Sequence, residues 1–226
     1  MSCVGAPAAA ERRWDVRSGN RGPGRPRPLI ASSRRGMIAR CMPRHPRLLH
    51  PEATALIVVD VQERFRSAIA EFEAMAAGCV KLVRAFRFLD LPILVTEQYP
   101  KGLGHTAGEL KEALGPTEIP EKTAFSSMGC SGVPERLQAL GAQSLLVCGI
   151  ETHVCVQQTV HDLLAAGYPV HVAVDAVQSR RASDREIALR RMESAGTILT
   201  TTEMAAFELL ADARHPRFKE VQALFK

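Results

Sequence analysis

Cys155 stands just after the apolar run Ser144-Leu-Leu-Val-Cys-Gly149, in the first turn of a stretch with helical spacing. A helix N-terminus carries roughly half a positive charge and unpaired N–H groups. Both favour a thiolate, the nucleophilic form of cysteine, and the same N–H groups can hold a developing oxyanion. A small buried apolar residue, the commonest fate of a free cysteine, fits the position equally. Asp60 closes another apolar run, Ala55-Leu-Ile-Val-Val. A lone carboxylate at the end of a strand buried on both faces needs a partner or a task, unless it caps the following segment. Lys122, in Glu121-Lys-Thr-Ala-Phe-Ser126, breaks the apolar pattern and falls near the same edge. Taken alone it reads as well as a surface lysine. His153 is two residues from Cys155, a spacing that on a helix points the two side chains to different faces. Cys148 and Cys155 lack zinc-type spacing, and Gly102, Gly104 and Gly108 do not follow a strand as a dinucleotide fingerprint requires.

These residues need a scaffold that brings distant strand ends together. Residues 55–60, 92–96, 144–149, 169–174 and 197–201 read as short strands, the first apolar on both faces and hence parallel. Between them, helical spacing runs over 67–89, 107–114, 133–140, 152–166, 183–195 and 203–210. Ser183 with Glu186 three residues on reads as a capping box. Strands alternating with helices give right-handed crossovers. The expected fold is a single three-layer α/β domain with a doubly wound, mostly parallel sheet of five to six strands and helices on both faces. Sites in such sheets lie beyond the carboxyl ends of the strands, where Asp60, Lys122 and Cys155 all fall.

The composition separates the chain into two parts. Residues 1–50 carry eleven arginines, no lysine and only Glu11 and Asp15, a charge of +9, so the remainder carries −4 within the total of +5. Six of the 14 prolines are also there. High charge with few aliphatics predicts a disordered Arg/Pro-rich leader over 1–48 and one domain over 49–226. Met37 and Met42 are alternative starts. Ser33-Arg-Arg35 lacks the apolar segment an export signal requires. No run approaches the ~18 apolar residues that span a bilayer. Cysteines set in apolar runs (Cys79, Cys148, Cys155) suggest reduced thiols, hence a cytoplasmic location, or a mitochondrial one if the leader is a transit peptide.

Taken together, three segments resemble the isochorismatase-like cysteine hydrolase family, in particular the isochorismatase domain-containing proteins. They are Val58-Val-Asp-Val-Gln62 with Phe65, Glu121-Lys-Thr-Ala-Phe125, and Gly149-Ile-Glu-Thr-His-Val-Cys-Val-Gln-Gln-Thr159. Val174-Asp-Ala176, Ser183 and Thr200-Thr-Thr-Glu203 are similar to later segments of the family, so the resemblance covers about residues 53–211. It implies a triad of Asp60, Lys122 and the nucleophile Cys155. It also implies a cis peptide between Ile150 and Glu151, and an oxyanion site formed by the N–H groups of Glu151 and Cys155. Gln62, Phe65, Gln98, Tyr99 and Phe125 are the expected pocket residues.

Two departures narrow the expectation. Nicotinamidases of the family hold a metal through an Asp-x-His pattern and a further His. Here Thr96-Glu-Gln-Tyr-Pro-Lys-Gly-Leu-Gly-His105 offers only Glu97 and His105, so neither metal nor other cofactor is expected. Isochorismatases that cleave a vinyl ether need no cysteine, so Cys155 favours an amide-like or ester-like substrate. The resulting expectation is a metal-independent hydrolase of a small carboxamide or N-carbamoyl compound, acting as a homo-oligomer without membrane association. The alternatives are an idle oligomeric binding protein of the same fold and a vinyl ether hydrolase. Nucleic-acid binding through the leader is disfavoured, because the acidic remainder offers no second basic surface.

Overall fold

The computed structural model describes residues 44–226. The leader expected over 1–48 therefore lies almost wholly outside the described residues. Six parallel strands form one sheet in the order β3-β2-β1-β4-β5-β6. They are β1 (Thr54–Val59), β2 (Ile93–Gln98), β3 (Glu121–Lys122), β4 (Ser144–Ile150), β5 (Val170–Gln178) and β6 (Ile198–Thr200). The order reverses between β1 and β4, so a crevice opens beyond their carboxyl ends.

Every side chain of β1 and β4 is buried, as a central strand covered on both faces requires. Alternation then divides the apolar residues between two cores. Leu56 and Val58 face one layer with α1 (Phe72–Phe88), α3 (Gly108–Leu114) and α7 (Thr202–Leu210). Ala55, Ile57 and Val59 face the other, with α4 (Val133–Leu140), α5 (Gln157–Ala165) and α6 (Ala182–Ser194). The short helix α2 (Pro100–Leu103) lies in the loop after β2, and α8 (Phe218–Ala223) ends the chain. The expected α/β class and helices on both faces are present.

Several details differ from the sequence expectation. Ser183 makes no cap: Arg181 is the N-cap residue of α6, and no side chain bonds the helix start. The two-residue β3 is too short to leave a period, and the sequence gives it no separate signal. Strand β5 continues four residues past Val174, through the polar Asp175. The Asp175 carboxylate accepts from Thr202 N (2.8 Å) and Thr202 Oγ1 (2.7 Å), tying α7 to the sheet. Helix α8 joins a satellite cluster in which Phe207 meets Phe218 edge-on at 6.2 Å.

His171 on β5 is buried, and neither ring nitrogen has a hydrogen-bond partner among the described residues. Burial pushes its pKa down to about 4, with a smaller contribution from Arg47. The unfolded imidazole titrates near 6.5, so between those values the unfolded chain binds the extra proton. Stability is therefore complete above pH 6.5 and declines as the pH falls toward 4. Urea denaturation at pH 7 and pH 4.5 should show a loss about 2–3 kcal/mol larger for the wild type than for His171→Leu. Equal losses in the two proteins would remove this group from the acid response.

Candidate active site

Asp60 follows β1 directly in a left-handed conformation, with φ of +52°. Its neighbour across the crevice, Gly149 on β4, has φ of +116°, and a Cβ there would lie 2.1 Å from the Val59 carbonyl oxygen. Only glycine lets β1 and β4 approach this closely at the site. The Asp60 side chain is 1% exposed, and both oxygens are engaged. Thr96 Oγ1 donates to Oδ1 at 2.8 Å, and Lys122 Nζ donates to Oδ2 at 2.7 Å.

Lys122 is no surface lysine: its side chain is fully buried. Its ammonium also donates to Gln98 Oε1 (2.8 Å) and to the carbonyls of Ala124 (3.1 Å) and Phe125 (2.9 Å). One side chain thereby fixes the carboxylate and folds the segment that presents Phe125. The Asp60 carboxyl is pushed above the usual carboxylate range by burial, against the pull of Lys122 and of the Thr96 hydroxyl.

After β4 the Ile150–Glu151 peptide is cis, and a five-residue π-type turn, Thr152–Val156, leads into α5. Cys155 lies in that turn, 6% exposed. Its carbonyl accepts from Thr159 Oγ1, which in turn accepts from Ser127 N, both at 2.8 Å. Ser127 Oγ meets Thr96 Oγ1 at 3.2 Å. A buried relay of hydroxyls thus links the cysteine turn to Asp60. No backbone or side-chain acceptor among the described residues takes the Glu151 N–H.

The thiol corrects one expectation. Burial first, then the Asp60 charge, push the Cys155 pKa well above its ordinary value, with Lys122 pulling the other way. At rest the site therefore holds a neutral thiol beside an aspartate–lysine pair. Desolvation outweighs the helix-terminus effect that the sequence position suggests.

Asp60, Glu151 and Cys155 border one cavity of about 380 Å³. Phe65, Gln98 and Phe125 line it, whereas Gln62 and Tyr99 do not. Gln62 is fully buried: its amide donates to the Gln98 and Gly104 carbonyls and accepts from Gln98 N, so it buckles β1 to the loop after β2. The Tyr99 ring is about half exposed outside the cavity, covering Gly102. His153 bonds Ser179 Oγ at 3.0 Å through Nδ1, with Asp184 beyond Nε2, and so serves no cysteine dyad.

The sequence reading missed Leu103, Val154 and Arg180, which complete the wall. Arg180 follows the true end of β5, so the early strand end hid it. Its Nε and backbone N both donate to Glu151 Oε1, at 2.9 and 3.1 Å.

Residues 54–204 match the family model for the isochorismatase domain. The chain is 43% identical over 181 residues to isochorismatase domain-containing protein 2A of Mus musculus, covering 78% of this chain and 84% of that protein. It is 42% identical over 182 residues to isochorismatase domain-containing protein 1 of Salmo salar, where the match covers 79% of this chain and 62% of that protein. The chain thus spans less than two thirds of that longer relative. Among solved structures, one named MAR1 ribonuclease from Caenorhabditis elegans matches with a TM-score of 0.74 and 47% identity, over 78% of this chain and 91% of that one.

Proposed function

The chain belongs to the isochorismatase family, and on that premise we propose that it is a metal-independent cysteine hydrolase of a small C–N bond substrate, a carboxamide or N-carbamoyl compound. The observation that carries the reading is that Asp60 and Cys155, from separate strand ends, border one cavity, with the Lys122 ammonium on the Asp60 carboxylate at 2.7 Å.

The chemistry follows from the charges at rest. As the substrate carbonyl arrives, Asp60 takes the Cys155 proton, and Lys122 holds the aspartate in place. The sulfur adds to the carbonyl carbon. The N–H groups of Glu151 and Cys155 receive the oxyanion. Asp60, now protonated, returns its proton to the leaving nitrogen, and the C–N bond breaks to leave a thioacyl enzyme. Water, deprotonated by Asp60, then releases the acid and restores the thiol.

A metal ion does not fit the residues present. No group of three His, Cys, Asp or Glu side chains clusters to hold one among the described residues. Glu97 is already committed: Oε1 accepts from Thr106 N (2.6 Å) and Thr106 Oγ1 (2.7 Å), and Oε2 meets His105 Nδ1 at 3.0 Å. No step is assigned to a metal.

The C. elegans relative's name makes RNA the rival substrate. A cavity of about 380 Å³ and a charge of −4 over residues 51–226 favour a small molecule. The test is a panel of amides, ureas, carbamoyl compounds and RNA oligomers, each compared with Cys155→Ala. Ammonia release above that blank is the expected result. RNA cleavage, or no turnover of any C–N compound, would overturn the assignment.

A further inference from the structure

We infer that the Glu151 side chain holds the water that hydrolyses the thioacyl enzyme: Oε2 accepts a hydrogen bond from one water proton while Asp60 takes the other. This rests on the hydrolase reading above and adds a residue to its second step.

The two Glu151 carboxylate oxygens stand in different positions. Oε1 is fixed, since Arg180 Nε and Arg180 N donate to it at 2.9 and 3.1 Å. Oε2 takes no hydrogen bond among the described residues, yet it keeps accessible surface. The side chain is 6% exposed and borders the cavity, so that surface opens on the cavity. The turn that carries the nucleophile also closes on Glu151. Val154 N and Val156 N both donate to its carbonyl, at 3.0 and 3.2 Å. Cys155 is four positions on, about one helical turn away. After burial and the Asp60 charge, the Glu151 charge adds to the push that raises the Cys155 pKa, as a neighbour of the sulfur must.

A water that attacks a thioester needs a base for one proton. It needs a second acceptor for the other proton if its lone pair is to face the carbonyl carbon. Few side chains on the wall can accept. Gln98 Oε1 already accepts from Lys122, and its Nε2 donates to the Thr123 carbonyl. Arg180 carries only donors. Phe65, Leu103, Phe125, Ile150 and Val154 are hydrocarbon. The acceptors that remain are Asp60 and Glu151 Oε2, which follow the paired strands β1 and β4.

p-Nitrophenyl acetate separates the two steps. In the first, an S–C bond forms, the ester C–O bond breaks and p-nitrophenolate leaves, while the thiol proton passes through Asp60 to solvent. In the second, water adds to the carbonyl carbon, the C–S bond breaks, one water proton passes through Asp60 to the sulfur, and acetic acid leaves. With enzyme in excess, p-nitrophenolate release reads the first step, and loss of the acetyl adduct by mass spectrometry reads the second. Glu151→Gln keeps an acceptor oxygen for Arg180 but turns an NH₂ group toward the cavity. It should release p-nitrophenolate within about twofold of the wild-type rate and lose the acetyl group about 100-fold more slowly. Hydroxylamine attacks a thioester without a positioned water, so it should free the acetyl group equally fast from both proteins. Slower p-nitrophenolate release, equal loss of the acetyl group in water, or slow hydroxylamine release from the variant each overturns the water role and leaves the nucleophile in place. Wild-type p-nitrophenolate release no faster than that of Cys155→Ala overturns the hydrolase reading, and this inference with it.

Discussion

Replacing Cys155 by alanine should lower kcat on the active amide by at least about 10⁴-fold while leaving the fold intact. Removing a covalent nucleophile forfeits the whole two-step route, and losses of that order are typical of such residues. The substitution itself is small. The sulfur is 6% exposed and makes no hydrogen bond on which the turn depends, because the turn is held through the Cys155 carbonyl. The cost in stability should stay near 1 kcal/mol, so a preserved melting temperature would separate lost chemistry from lost structure. Retention of more than a few per cent of the activity would mean that another group attacks.

The direction of the pH response also follows. The proposed mechanism requires Asp60 ionised and able to take the thiol proton. Because burial raises the Asp60 pKa, the acid limb of the rate profile should lie above the ordinary carboxylate range, with activity rising as the pH increases through it.

Lys122→Met should be the most destabilising single change at the site. It leaves a fully buried carboxylate without its cation and frees three further acceptors, on Gln98, Ala124 and Phe125. Breaking a buried pair from one side typically costs about 3–5 kcal/mol, which for a domain of this size lowers the melting temperature by roughly 10 °C. Losing the Lys122 charge also removes the largest pull lowering the Asp60 pKa, so the carboxylate protonates more readily still. The double variant Asp60→Asn/Lys122→Met should recover much of the lost stability and none of the activity. Calorimetric melting of the two variants checks this; a Lys122→Met protein as stable as the wild type would show that the pair is not the structural pin described above.

The clustered residues of the candidate site were more legible in the sequence than the wall around them. Asp60 and Cys155 each end an apolar run, and a parallel sheet buries such runs and exposes their carboxyl ends in one crevice. The resemblance then supplied Lys122, which the residues alone could not separate from a surface lysine. What the sequence hid was the wall. Gln62 and Tyr99 sit beside the right strands, but one is spent on backbone groups and the other turns outward, and single-residue spacing carries neither fact. Arg180 was missed because Asp175 interrupts the apolar run of β5, although that aspartate serves Thr202 rather than ending the strand. The resting thiol was misjudged for a related reason: position along a helix can be read from a sequence, whereas the depth of burial that sets the desolvation cost cannot.

The sharpest test of the account is acylation of the enzyme by an activated ester, quenched before turnover and mapped by mass spectrometry. The acyl group should sit on the peptide carrying Cys155, and Asp60→Asn should slow its appearance at least about 100-fold. An adduct on Cys130 instead, or equal rates in the two proteins, would contradict the assignment of Asp60 as the base that readies this sulfur.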